Sequence, residues 1–345
     1  MSKRFQAVVL GLLVLAVVGG CASSRTAARR PVVAPVPPLA VPTAIDESLQ
    51  ARALGELSAA RASGSAELRS QAIEAYVLGV GPAGAKQTVL AGLNDPSVMV
   101  RFAAAVAIGQ MQIAEALPEL RGRLSDPSPH VQAAVRYAMH KLGDRTHTQD
   151  LVALSMHPDA NVRANVAFVL GLLGESSAIR ILRPMQADPS ANVRLEVAGA
   201  MWRLRSDDGL EALAQFSISQ FGDDQILALL AMTGPQDARA MSLIRGRLTD
   251  DYEEVRLAAA RAMGELGSDR GYAVATEQVS SGDPRRRVLA AMALGAIGRA
   301  DAQDDLAPLL NDPQAEVRLA AATALLRIGH GGGASAVSPG SASAR

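Results

Sequence analysis

One period constrains this chain more than any other feature. Val100, Val131, Val162 and Val193 are spaced 31 residues apart, and the same count lands on Asp224, Val255, Arg286 and Val317, and backwards on Arg69. The copies at 69 and 224 are degenerate, and in the 286 copy the valine slips to Val288. Twelve residues past the markers stand Gly81, Gly143, Gly174, Gly267, Gly298 and Gly329. A fixed repeat over nine positions predicts small supersecondary units that cannot bury their apolar faces alone, so stacked neighbours must supply the core.

Each unit reads as two helices. The second starts near Asp-Pro, where Asp95, Asp126, Asp188 and Asp312 are placed to cap it and the proline suits its first turn. Apolar residues then recur at offsets 0, +4, +7, +8 and +11, as in Val162, Val166, Val169, Leu170 and Leu173. At ~100° per residue these make one core-facing stripe. The glycine at +12 ends the helix. The first helix carries sparser apolar residues, such as Leu117, Leu120 and Leu124. Alternating strand patterns are absent, and the apolar fraction of 49% with only 3% aromatics points to packing by alanine and leucine, both strong helix formers.

The units resemble HEAT-like repeats, in particular the short bacterial form also found in phycobilin lyases. The match is carried by Asp-Pro, by Val100-Arg101, Val162-Arg163, Val193-Arg194, Val255-Arg256 and Val317-Arg318, and by the Ala, Leu and Gly that follow. It covers residues 46–330 and implies an all-α fold, an α-solenoid (superhelix) of about nine 31-residue helical pairs. The scaffold serves many roles, so the resemblance fixes architecture rather than activity.

The two ends differ from the middle. "MSKRFQAVVLGLLVLAVVGGC" has a positive start, an apolar run and a small-residue close, the layout of a secretory signal over residues 1–20. Val18-Gly19-Gly20-Cys21 resembles the bacterial lipobox, which implies lipidation of Cys21, and Ala22 after it implies sorting to the outer membrane, facing the periplasm. Cys21 is the single cysteine, so no intramolecular disulfide or cysteine-based zinc site is available. Residues 21–45 are rich in Pro, Ala and Val and read as an extended tether reaching some 60–80 Å at ~3.1 Å per residue. Residues 331–345 have nothing to bury and read as a disordered tail.

Chemistry is sparse. Lysine plus arginine equals aspartate plus glutamate, 34 each, which leaves no electrostatic footprint for nucleic acid. The regular arginine one past the marker is expected to bond capping aspartates or helix-end carbonyls rather than form an anion stripe. Arg285-Arg286-Arg287 reads as a solvated turn. His130, His140, His147 and His157 cluster in sequence but lack the i, i+4 pairing of helical metal sites, so no metal and no cofactor is expected. No nucleophile motif is present and no catalytic residue is assigned.

On the second helices, offsets +2, +6 and +10 lie away from the core stripe, yet they form a mainly apolar ridge with a charged edge (Lys141, Arg203, Glu265 and Arg327). Phe102, Val106, Tyr137, Phe168, Leu172 and Leu195 are therefore expected to bind a protein or peptide partner on the concave face, with Trp202 a weaker candidate. In the alternative, tight curvature buries the ridge, as alanine and glycine at +5 and +9 would permit. The sequence thus predicts a non-enzymatic scaffold or adaptor of the bacterial cell envelope, membrane-tethered through its lipid. A ligand- or metal-sensing module and a lyase-like enzyme remain the other readings.

Overall fold

The computed structural model describes residues 45–330. The signal peptide, Cys21 with its tether, and the tail lie outside the described residues, apart from Ile45 at the end of the tether.

The described chain is built of helix pairs. In order they are α1 (Glu47–Arg61), α2 (Ala66–Gly79), α3 (Gly81–Gly92), α4 (Val98–Met111), α5 (Leu117–Arg123), α6 (Pro129–Lys141), α7 (Asp150–Leu154), α8 (Ala160–Leu173), α9 (Ile179–Met185) and α10 (Ala191–Arg203). There follow α11 (Asp207–Phe216), α12 (Gly222–Ala231), α13 (Ala238–Gly246), α14 (Glu253–Glu265), α15 (Tyr272–Thr276), α16 (Pro284–Ile297), α17 (Ala302–Leu306) and α18 (Ala315–Gly329). Odd helices form an outer layer and even helices an inner one, each even helix packing on the next. The fold is an all-α solenoid.

The solenoid closes. The last inner helix, α18, packs against both α1 and α2. Leu319, Leu325 and Ile328 share one apolar core with Ile45, Ala53, Leu57 and Ala72 from the start of the described chain. Arg318 Nε donates to Glu56 at 3.0 Å and Arg52 Nη2 to Asn311 at 3.2 Å across this seam. Small residues at +9 make the required curvature possible. A Cβ on Gly171 would lie 2.7 Å from Ala200 Cα, and one on Gly295 2.7 Å from Ala324 Cα, so only glycine admits the neighbouring backbone there.

A ladder of side chains locks the repeats together. In every pair, the residue one past the marker bonds the carbonyl six residues back: Arg69 to Ser63, Arg101 to Asp95, Gln132 to Asp126, Arg163 to His157, Arg194 to Asp188, Gln225 to Ser219, Arg256 to Asp250, Arg287 to Ser281 and Arg318 to Asp312. Four of the arginines also grip the aspartate opening the next inner turn in a bidentate pair: Arg69–Asp95, Arg101–Asp126, Arg163–Asp188 and Arg287–Asp312, with Nε–O distances of 2.8, 2.9, 2.7 and 2.7 Å. Those aspartates are not the helix caps the sequence suggests. The N-cap position is held by Ser97, Ser128, Ser190 and Gln314, whose side chains make no capping bond, and each aspartate folds a turn by accepting from the backbone N–H two residues on. This leaves its carboxylate free to take the guanidinium. Arg69 itself occupies the ladder position, so the first marker is Leu68 and the count slips by one residue there.

The +12 position is left-handed in several pairs: Gly143, Gly174, Gly267 and Gly298, and also Gln112 at φ 53° and Arg205 at φ 62°.

Candidate functional site

Closure converts the concave face into a lumen lined by offsets +2, +6 and +10. Its two sides differ. On one side, Phe102, Val106, Tyr137, Phe168, Leu172 and Leu195 are all buried, none more than 8% exposed. Phe102 and Phe168, two repeats apart, bring their rings to a centroid distance of 6.5 Å. Arg203 lies over Phe168 at 5.6 Å. The ridge is therefore core, and the expectation that it faces a partner is corrected: nine curved repeats bring these side chains onto one another. Trp202 is buried too, its Nε1 donating to the Met232 carbonyl at 2.9 Å.

On the other side, α2, α12, α14, α16 and α18 leave a cavity of about 510 Å³. Its mouth is set by the second residue of four inner helices, Glu67, Asp223, Arg285 and Glu316, with Arg285 Nη2 donating to Asp223 at 2.5 Å. Apolar walls follow, among them Leu227, Leu230, Val288, Leu289, Met292 and Leu319. Glu74 lies seven residues beyond the mouth residue Glu67, about 10 Å at the helical rise, in the same repeat position as Arg261 on α14 and level with Leu230, Met292 and Thr323; Arg327 follows four residues after Thr323.

This charged layer is incompletely paired. Glu265 gives both oxygens to Arg327, at 2.8 and 2.7 Å. Arg261 Nε is left 4.0 Å from Glu265, and its Nη1 meets the Met292 sulfur at 3.6 Å. Glu74 Oε1 is buried without a hydrogen-bond partner among the described residues. Burial pushes the Glu74 carboxyl up to about 7, against the pull of Arg261 and Arg327. Burial also lowers Arg261, whereas in Arg327 the Glu265 carboxylate outweighs burial and raises it. The filled side holds a comparable group: burial raises Glu196 to about 7 and lowers Arg203 to about 10.

The histidines do not converge. His130 pairs with Asn165 at 2.8 Å, His140 with Thr148 and Glu175 at 2.7 and 2.9 Å, His147 lies 3.6 Å from Asp150, and His157 accepts from the Asp159 N–H at 3.1 Å. Among the described residues no group of three or more metal-ligating side chains gathers. Arg285, Arg286 and Arg287 are each ion-paired, to Asp223, to Glu253 and Glu254, and to Asp312, so they bridge repeats, and of the three Arg285 stays solvated as expected, at 57% exposure.

The mouth edge also carries exposed apolar residues that sequence reasoning passed over. Phe221 and Tyr252, 60% and 59% exposed, take the N-cap position of the consecutive inner helices α12 and α14, where other repeats place serine, aspartate or glutamine. Ile218 and Met156, 64% and 73% exposed, sit at equivalent positions two repeats apart on the same edge. The available signal was the loss of Asp-Pro at 219–220 and of a capping residue at both sites.

A family model described as HEAT repeats matches residues 53–140, 87–155, 148–220 and 272–339. No curated protein matches the sequence significantly. Among solved structures, the CpcE–CpcF complex of phycocyanin lyase from Nostoc sp. PCC7120 is similar at 22% identity and TM-score 0.42, over 71% of this chain and 97% of that one. Human deoxyhypusine hydroxylase is similar at 19% and 0.37, over 82% and 98%. Kap121p bound to Nup53p is similar at 14% and 0.35, over 78% and 36%.

Proposed function

The chain belongs to the family of HEAT repeats, and on that premise we propose that it is a non-enzymatic protein-binding module of a bacterial cell envelope. It is carried on a lipid at Cys21 and faces the periplasm from the outer membrane. The observation that supports binding is the rim of the ring. Two adjacent inner helices carry exposed aromatic rings at the N-cap position, where the other repeats carry small or polar residues. Aromatic residues anchor protein interfaces because they cover a large area at low conformational cost. The partner docks against Phe221 and Tyr252, with Ile218 at the edge of the contact, rather than along the buried ridge. The anchor is supported by the lipobox-like Val18-Gly19-Gly20-Cys21.

A photoreactive phenylalanine analogue at 221 or 252, irradiated in intact envelopes, tests the rim, with the same analogue at Arg145 as the control. The expected result is one protein crosslinked from 221 and 252 and not from 145, and lost from 252 when Phe221→Glu is added to a chain of unchanged helicity. Identical products from all three positions contradict the proposal. Labelled-palmitate incorporation that disappears in Cys21→Ala tests the anchor.

A further inference from the structure

Independently of that rim, we propose that the lumen cavity is a binding site for an amphipathic carboxylate, an alkyl chain ending in one negative charge. Arg261 receives the carboxylate and the aliphatic walls receive the chain. The protein's own acids do not satisfy this guanidinium: both oxygens of Glu265 are held by Arg327, and Arg261 is left with a sulfur at 3.6 Å and an oxygen at 4.0 Å. Arg261 is 4% exposed, and it lines the cavity. That cavity has the size of a small-molecule site, on the order of 300–1,000 Å³, and its walls are mainly aliphatic, with Gln71 and Thr323 the uncharged polar side chains among them.

At the inner end of the cavity the local charge count favours an anion, although the mouth carries three acids against one base. Arg261 and Arg327 carry two positive charges, Glu265 one negative charge, and Glu74 gains its negative charge only near neutrality. Below that point the layer carries one net positive charge. A protonated Glu74 then donates a hydrogen bond to the incoming carboxylate through a carboxyl group whose Oε1 has no hydrogen-bond partner among the described residues. The charged groups acting on Glu74 are Arg261 and Glu265 from α14 and Arg327 from α18; those at the mouth are Glu67, Asp223, Arg285 and Glu316. A carboxylate ligand holds Glu74 in its protonated form, so binding takes up a proton and strengthens as pH falls from 8 to 6.

Titration calorimetry on the full-length chain with decanoate, decanol and decyltrimethylammonium, all below micelle formation, tests this. Decanoate should bind, decanol about tenfold or more weakly for want of the charge-assisted bond, and the cation not at all. Arg261→Met should reduce decanoate to the level of decanol. Glu74→Gln should retain binding and abolish its pH dependence. Should Arg261→Met fail to fold, Val288→Trp fills the cavity from a partly exposed wall position, and loss of decanoate binding by the folded variant is the expected result. Equal binding of decanol and decanoate, preference for the cation, or unchanged affinity in Val288→Trp overturns the proposal. None of these outcomes bears on crosslinking at 221 and 252.

Discussion

The two sides of the lumen use the same positions of the same repeat and reach opposite results. From α4 to α10 the inward residues include Phe102, Tyr137 and Phe168, and the space is filled. From α12 round to α2 they are Leu230, Arg261, Met292, Thr323 and Glu74, and a cavity remains. Both sides carry close-packed glycines at +9 (Gly109 and Gly171, Gly264 and Gly295) and rungs of the side-chain ladder, so these features do not distinguish them. Side-chain volume and charge at two or three offsets do. A solenoid scaffold can therefore acquire an internal site by substitution at one layer, without a change of fold.

The most damaging test of this contrast is truncation on each side. Phe168→Ala should cost about 3–5 kcal/mol as a cavity opens in close packing, whereas Val288→Ala, which enlarges a space already present, should cost about 1 kcal/mol or less. Denaturant melts followed by circular dichroism measure both. Comparable losses would mean that the two sides are equally packed. The ladder should be as sensitive as the filled side. Asp126→Ala strands the Arg101 guanidinium, whose partner carboxylate is fully buried, and should cost about 3–5 kcal/mol. Removing the more exposed Asp223 from its ion pair with Arg285 should cost well under about 1 kcal/mol.

Protonation probes both sides together. Glu74 and Glu196 have folded values raised from 4.5 to about 7 by burial. A carboxyl raised on folding contributes stability that is complete below about 4.5 and is lost as pH climbs through 7, on the order of 3 kcal/mol for each group. The ladder acids Asp95, Asp126, Asp188 and Asp312 are lowered, their guanidinium and backbone donors outweighing burial, so their contribution is lost only below about pH 4. The melting temperature should therefore rise as pH falls from 8 to about 5 and drop at lower pH. Glu74→Gln and Glu196→Gln should each raise it at pH 8 and leave it unchanged at pH 5. A melting temperature that falls steadily from pH 8 downward contradicts this assignment.

The smallest effect concerns the helix ends. Gln112→Gly and Arg205→Gly should each stabilise by about 1 kcal/mol, because both residues hold positive φ where the other repeats use glycine. Gly298→Ala should cost a similar amount.

Most of the architecture was legible because it is local. The period, the apolar stripe from Val162 to Leu173 and the closing glycines specify helix pairs and their stacking without reference to distant sequence. Closure was not legible, since it joins α18 to α1 through Arg318 and Glu56, 262 residues apart, and no pairwise pattern marks that contact. Misplacing the ridge followed from this: Phe168 and Leu172 look surplus to one helix and become core only when the repeats curl round. The charged layer was partly visible, because Arg261, Glu265 and Arg327 stand out at offsets +6 and +10. Glu74 was hidden by the one-residue slip in the first copy.

Spin labels placed by Arg52→Cys and Asn311→Cys in a Cys21→Ser background, with their separation read by double electron–electron resonance, test closure most directly. Those side chains hydrogen-bond across the seam at 3.2 Å, so a single short distance, under about 25 Å including label arms, is the expected result. Nine helix pairs stacked in an open superhelix at ~10 Å each would separate the labels by several tens of ångströms. A long or broad distribution would contradict the ring, and with it the buried ridge and the enclosed cavity.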